Sequence, residues 1–100
     1  MEQPFLKEGE RLDDLQLAGL SIIQKIDGFR FGIDAVLLSN YVKVGKGARI
    51  ADLGTGTGII PLLLSAKTKA SKIVGIEIQK EMAEMATRSV EYNKLQDRIE

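Results

Sequence analysis

One hundred residues, 44% of them hydrophobic, are enough for a single small core and little beyond it. Basic and acidic residues number 14 each, so no net field draws the chain to a polyanion or an anionic membrane, and nucleic-acid binding cannot be argued from net charge. With no cysteine and no histidine, disulfides, thiolate chemistry, histidine acid-base catalysis and nearly every zinc site are excluded. The longest apolar run, residues 59–64, contains Pro61 and falls far short of the ~20 residues of a membrane-spanning helix. After Met1, the sequence Glu2-Gln3-Pro4 lacks the basic start and apolar stretch of a signal peptide. The expectation is a cytoplasmic protein without metal or membrane association.

Residues 1–14 carry five acids, two bases, a proline and a glycine with weak periodicity, and read as a loosely ordered lead-in to a domain over residues 15–100. From Leu20, alternation through Ile22, Gln24 and Ile26 predicts a strand. Asp27-Gly28 predicts a tight turn and Phe29-Arg30-Phe31 the returning strand of a β-hairpin. Asp34 then reads as the N-cap of a helix with Leu37, Leu38, Tyr41 and Val42 on one face and Gly45 as its stop.

Ala48 to Leu53 predicts a short buried strand running into Gly54-Thr55-Gly56-Thr57-Gly58. The next segment, 59–67, predicts a buried helix in which Pro61 sits in the first turn, where its missing N–H has no partner to lose. Residues 67–72 form a polar connection whose three lysines read as solvated surface, with RNA contact as the alternative. Ile73 to Ile78 is a second β-rich run carrying an acid, residues 80–94 form a helix, and Ile99 marks the onset of a third strand. Strands alternating with helices imply an α/β fold with a parallel sheet flanked by helices, preceded by the hairpin.

In such a sheet the first strand-to-helix turn, beyond the carboxyl end of the strand, is where a nucleotide-like cofactor is held. Glycines there permit positive φ and close backbone approach to a ligand. Asp52-Leu53-Gly54-Thr55-Gly56-Thr57-Gly58 does not fit the dinucleotide pattern G-x-G-x-x-G/A, because Ile59 or Pro61 falls on its last position. The carboxylate of Asp52 would also repel a pyrophosphate, whereas it suits a ligand carrying an ammonium and a sulfonium, such as S-adenosylmethionine. Glu77, 23 residues beyond Gly54, is near the ~20 expected of the acid that accepts ribose hydroxyls, and Ile78 would pack on the adenine face. The candidate cofactor-binding residues are therefore Asp52, Leu53, Gly54, Thr55, Gly56, Gly58, Glu77 and Ile78.

Arg11 to Leu15, Gly28 to Leu38 and Ala51 to Ile60 together resemble the bacterial tRNA(Val) adenine N6-methyltransferase family, a branch of the class I methyltransferases. The resemblance implies a Rossmann-like fold, S-adenosylmethionine as cofactor and methyl transfer to the exocyclic amine of an adenine in tRNA. It also makes Phe31 and Asp34 contributors near the methionine end of the cofactor. Members of that family use an Asn-Pro-Pro-Tyr tetrapeptide to engage the amine. The chain has only Pro4 and Pro61, so no catalytic residue is carried over, and the expectation is the incomplete, cofactor-binding front of such an enzyme, inactive alone. An unpaired sheet edge and uncovered apolar faces would drive self-association. Two other readings stay open: a non-catalytic cofactor-binding or assembly module, and an NAD-dependent oxidoreductase.

Overall fold

The computed structural model describes residues 5–27 and 33–100, with the side chain of Ile33 left aside. Seven elements follow in order: strands β1 (Glu10–Asp14) and β2 (Ser21–Lys25), helix α1 (Ile33–Tyr41), strand β3 (Arg49–Leu53), helix α2 (Ile59–Lys67), strand β4 (Lys72–Ile76) and helix α3 (Lys80–Tyr92).

β1 and β2 pair antiparallel, from Glu10 opposite Lys25 to Asp14 opposite Ser21. This corrects one expectation: residues 10–14 are a strand, paired with β2, and not a loop-like lead-in. The strand anticipated at 29–31 and the Gly28 turn lie outside the described residues. A turn between β1 and β2 is built from Gln16, Ala18 and Gly19, all at positive φ, and is closed by the Leu15 N–H donating to the Leu20 carbonyl at 2.9 Å.

The free edge of β2 is covered by α3. The Ile23 N–H donates to Ser89 Oγ at 2.9 Å, the Ser21 N–H donates to Asn93 Oδ1 at 2.9 Å, and Asn93 Nδ2 returns a bond to the Ser21 carbonyl at 2.6 Å. Ser and Asn on a helix face thus do what a third strand would do for the ladder. Arg88, one residue earlier in α3, donates to both oxygens of Glu10 (2.5 and 2.7 Å) and to the Phe5 carbonyl. The Glu10 side chain is only 3% exposed and that of Arg88 12%. The guanidinium hydrogen bonds hold the Glu10 carboxyl below the usual carboxylate range.

β3 and β4 pair in parallel, with Arg49 opposite Lys72 and Leu53 opposite Ile76. A third strand begins where Ile99 bridges Ile73 in parallel, with the Gly75 N–H donating to the Glu100 carbonyl at 2.9 Å. Alternation along β3 and β4 sets Ile50, Asp52, Ile73 and Gly75 on one face and Ala51, Leu53, Val74 and Ile76 on the other. Ile50 and Ile73 join the core, while Leu53 and Ile76 are exposed, so β3 is not buried on both sides as its apolar run suggests.

The core is centred on α2, whose Leu62 and Leu64 are fully buried with Ile22, Ile73 and, at its margin, Val90 and Ile99. Burial of one such leucine contributes roughly 1.5 to 3 kcal/mol. The helix is apolar on most sides because α1 and β4 both pack on it. Its carboxyl end is closed from a distance: the Arg98 guanidinium donates to the carbonyls of Ser65, Thr68 and Ala70 at 2.6 to 2.8 Å. Asp34 falls inside the first turn of α1, one residue past its first position. In α3 the buried residues are Met85, Ser89 and Val90.

Candidate cofactor site

β3 ends at Leu53, α2 begins at Ile59, and the glycine loop joins them at the carboxyl end of the parallel pair. Gly54, Gly56 and Gly58 have φ of 71°, 59° and 90°. A side chain in that left-handed region costs roughly 1 to 2 kcal/mol, so the alternating glycines follow from the path of the chain.

Two bonds fasten the loop to the neighbouring strand, as the N–H groups of Gly54 and Thr55 both donate to the Ile76 carbonyl, at 2.7 and 2.9 Å. Glu77 forms the second fastening. Its Oε1 accepts the Gly56 N–H at 2.8 Å and its Oε2 accepts the Gln79 N–H at 3.1 Å. The acid lies just beyond β4 and latches the glycine loop to the start of α3. A carboxylate offers about four lone-pair sites, so one backbone donor on each oxygen leaves room for ligand hydroxyls.

Gly75, in the middle of β4, was not singled out from the sequence. A Cβ there would lie 2.9 Å from Cγ2 and Oγ1 of Thr55, so the strand is glycine to let Thr55 fold down against it. An isolated glycine within a β-rich run was the available signal. Gly58 is likewise constrained, with an added Cβ 3.2 Å from Cβ of Ala86 in α3.

Two buried side-chain atoms of the described residues have no hydrogen-bond partner, and both belong here: Asp52 Oδ2 and Thr55 Oγ1. An unsatisfied buried polar group costs about 1 to 3 kcal/mol, more if charged, and such groups mark positions where a ligand supplies the missing partner. Asp52 stands opposite Gly75 in the ladder, beside Thr55. The first turn of α2 has no side-chain cap, which leaves its amide groups facing the same end of the sheet. Two large apolar side chains flank the loop in the open, Leu53 at 77% exposure and Ile78 at 93%.

A cavity of about 260 Å³ opens between the loop and α3. It borders Thr55, Gly58 and Glu77 together with Gly75, Ala86 and Val90, and not Asp52, Leu53, Gly54, Gly56 or Ile78. The eight anticipated residues therefore gather around one loop without sharing one pocket. Asp34 is exposed at the start of α1, and Phe31 lies outside the described residues.

A family model described as a methyltransferase domain matches residues 37–100. The chain is similar to the tRNA1(Val) (adenine(37)-N6)-methyltransferase of Bacteroides fragilis, 37% identical over 71 residues, which are 71% of this chain and 30% of that protein. It spans about 30% of the length of the curated relatives it matches first. Among solved structures, it resembles P. horikoshii TYW2 in complex with MeSAdo, with a TM-score of 0.71 and 19% identity over 93% of this chain and 35% of that one. It also resembles the SAM-dependent methyltransferase of Agrobacterium tumefaciens, at TM-score 0.66 and 19% identity, covering 94% of this chain and 32% of that one. The parallel pair, the glycine loop and the alternation of strand and helix are thus part of a Rossmann-like fold, and the chain belongs to the methyltransferase domain family.

Proposed function

We propose that these residues form the cofactor-binding part of an S-adenosylmethionine-dependent methyltransferase that acts on the N6 amine of an adenine in tRNA. The observation that carries the reading is the pair of orphaned atoms, Asp52 Oδ2 and Thr55 Oγ1, buried beside a glycine loop whose backbone is open to close approach. A buried carboxylate oxygen without a donor suits a cationic ligand, and S-adenosylmethionine carries an ammonium and a sulfonium. The acceptor rests on the similarity to the adenine N6 enzyme of Bacteroides fragilis.

The bound cofactor would supply an electrophilic methyl group on sulfur. The residues of this chain bind and orient it. Asp52 places negative charge at the lip of the loop, where in a site of reduced dielectric it favours the cation over a phosphate. The Thr55 hydroxyl offers a donor and acceptor next to it. Glu77, held rigid by the Gly56 and Gln79 amides, presents its remaining lone pairs to ribose hydroxyls. Ile78 and Leu53 offer exposed apolar surface to the adenine face. No residue here is assigned to the amine that accepts the methyl group in this reading.

The dinucleotide alternative is disfavoured on a structural ground as well as on Ile59 and Asp52. A phosphate-cradling loop aims its amides at the ligand. Here the central amide, that of Gly56, is already given to Glu77.

Calorimetric titration with S-adenosylhomocysteine tests the cofactor part. Asp52→Ala removes a charge-assisted contact of roughly 1.5 to 3 kcal/mol, so affinity falls about ten- to a hundredfold; an unchanged affinity removes Asp52 from the site. Transfer of labelled methyl from S-adenosylmethionine to tRNA by the complete enzyme, followed by digestion to nucleosides, tests the acceptor: N6-methyladenosine supports it, and label on another base overturns it.

A further inference from the structure

The balanced charge of the chain conceals a separation that only the fold reveals. Five basic side chains are paired with acids: Lys7 with Glu84, Arg11 with Asp13, Lys25 with Glu81, Lys72 with Glu100, and Arg88 with Glu10 and Glu84. Lys67 is turned onto Ser39 Oγ at 2.7 Å, and Arg98 closes α2. Lys43, Lys46, Arg49, Lys69, Lys80 and Lys94 contact no acid among the described residues.

All of these except Lys80 stand at the amino end of the parallel strands, opposite the glycine loop. Backbone bonds fix the placement. The Gly47 N–H donates to the Lys69 carbonyl at 2.9 Å, the Ser71 N–H donates to the Ala48 carbonyl at 2.7 Å, and Arg49 is in register with Lys72. Lys46, Arg49 and Lys69 therefore share one rim, all three exposed. Lys43 joins it because Lys67 ties the last turn of α1 to the last turn of α2, and the chain leaving α1 crosses there. Lys94 joins it because Arg98, just after the turn that follows α3, donates to the carbonyls of Thr68 and Ala70. Exposed acids flank Lys94: Asp97 in that turn, Glu91 in the last turn of α3, and Asp14, whose partner Ser21 bonds Asn93; Glu100 is taken by Lys72 at 3.4 Å. The opposite end carries Asp52 and Glu77.

We propose that this rim is a contact surface for the phosphate backbone of a folded RNA, separate from the cofactor crevice. The inference rests on the reading of the acceptor as RNA and extends it: the substrate is a polynucleotide gripped on two sides of the domain, and not a free nucleoside. Strands of five residues separate rim and crevice by about 16 Å at ~3.3 Å per residue, a distance several nucleotides span. Exposed, unpaired lysines on loops neutralise phosphates and release counterions, which suits sequence-independent backbone contact. Leu38, Tyr41 and Val44 are exposed beside Lys43, so an anionic lipid surface is the rival occupant that the vesicle arm of the test decides.

The test is fluorescence anisotropy of labelled tRNA with the chain and with Lys43→Glu/Lys46→Glu/Lys69→Glu, titrated across a range of salt, alongside calorimetry with S-adenosylhomocysteine. Arg49 is spared because it belongs to a strand. The expected result is an affinity at least tenfold weaker, and a plot of log affinity against log salt shallower by about 2 to 3, with cofactor-product affinity unchanged. Equal tRNA affinity and slope for the two proteins, no tRNA binding by the parent chain, or tighter binding to phosphatidylserine vesicles than to tRNA would each overturn the proposal. Should the reversed variant lose its melting transition, the glutamine triple variant replaces it, with the slope change in the same direction. A parent chain that binds tRNA through the rim but ignores S-adenosylhomocysteine would instead defeat the cofactor reading.

Discussion

The two small sheets of this molecule treat polar groups in opposite ways. Where β1 and β2 meet α3, every feature is closed: Arg88 saturates Glu10, Ser89 and Asn93 satisfy the edge of β2, and Gln24 donates to Asp13 at 2.7 Å. At the carboxyl end of β3 and β4, Asp52 and Thr55 are left with a buried atom each and no partner. The first region is built to stay together by itself. The second keeps two unpartnered polar atoms on a well-fixed backbone, which is the feature on which the proposed cofactor site rests.

Breaking the closed region gives the largest effect. Arg88→Met leaves the Glu10 carboxylate buried without its partner, and chemical denaturation should show a loss of about 3 to 5 kcal/mol. The same contrast has a pH signature. Because the folded-state pKa of Glu10 is depressed by Arg88, the stabilisation is present above the ordinary carboxylate range and is lost as pH falls through the depressed value. Melting temperature of the parent chain should therefore drop on acidification below about pH 4, and that of Arg88→Met should drop less. A parallel fall in both proteins would show that other carboxylates dominate.

In the open region Glu77→Ala should weaken S-adenosylhomocysteine about ten- to a hundredfold by calorimetry, through the lost ribose contact and the unlatched loop. Glu77→Gln keeps an acceptor for the Gly56 amide and separates the two causes: retained loop order with weakened binding assigns the loss to the ribose. Gly75→Ala pushes a methyl into Thr55 and should destabilise the fold by roughly 1 to 3 kcal/mol in urea. The smallest effect is Ser89→Ala, which strips the buried Ile23 amide of its acceptor for about 1 kcal/mol; no change in melting would mean that water replaces the hydroxyl.

Much of the central unit was legible in the chain. Pro61 in the first turn of α2, the strand before Gly54, the parallel neighbour and the onset of a strand at Ile99 all follow from local rules of period and turn chemistry. The hairpin was not, for a physical reason. Glu-Arg-Leu-Asp-Asp looks like solvent-exposed loop until its charges find Arg88 and Gln24, which lie 78 and 11 residues away from their partners. Pairing over such separations leaves no local trace. The candidate site residues were chosen by type and spacing, yet the role of Glu77 as latch depends on the turn that brings its two oxygens to the Gly56 and Gln79 amides. Charge separation was invisible for the same reason: composition counts charges, and the fold decides which of them are already spent on neighbours.

The central claim is that the glycine loop and Asp52 are shaped and charged for a positively charged sulfonium nucleoside. It is tested most directly by melting the chain with S-adenosylmethionine and with NAD in parallel. The account predicts a rise in melting temperature that grows with S-adenosylmethionine concentration and none with NAD; a shift with NAD alone would contradict it.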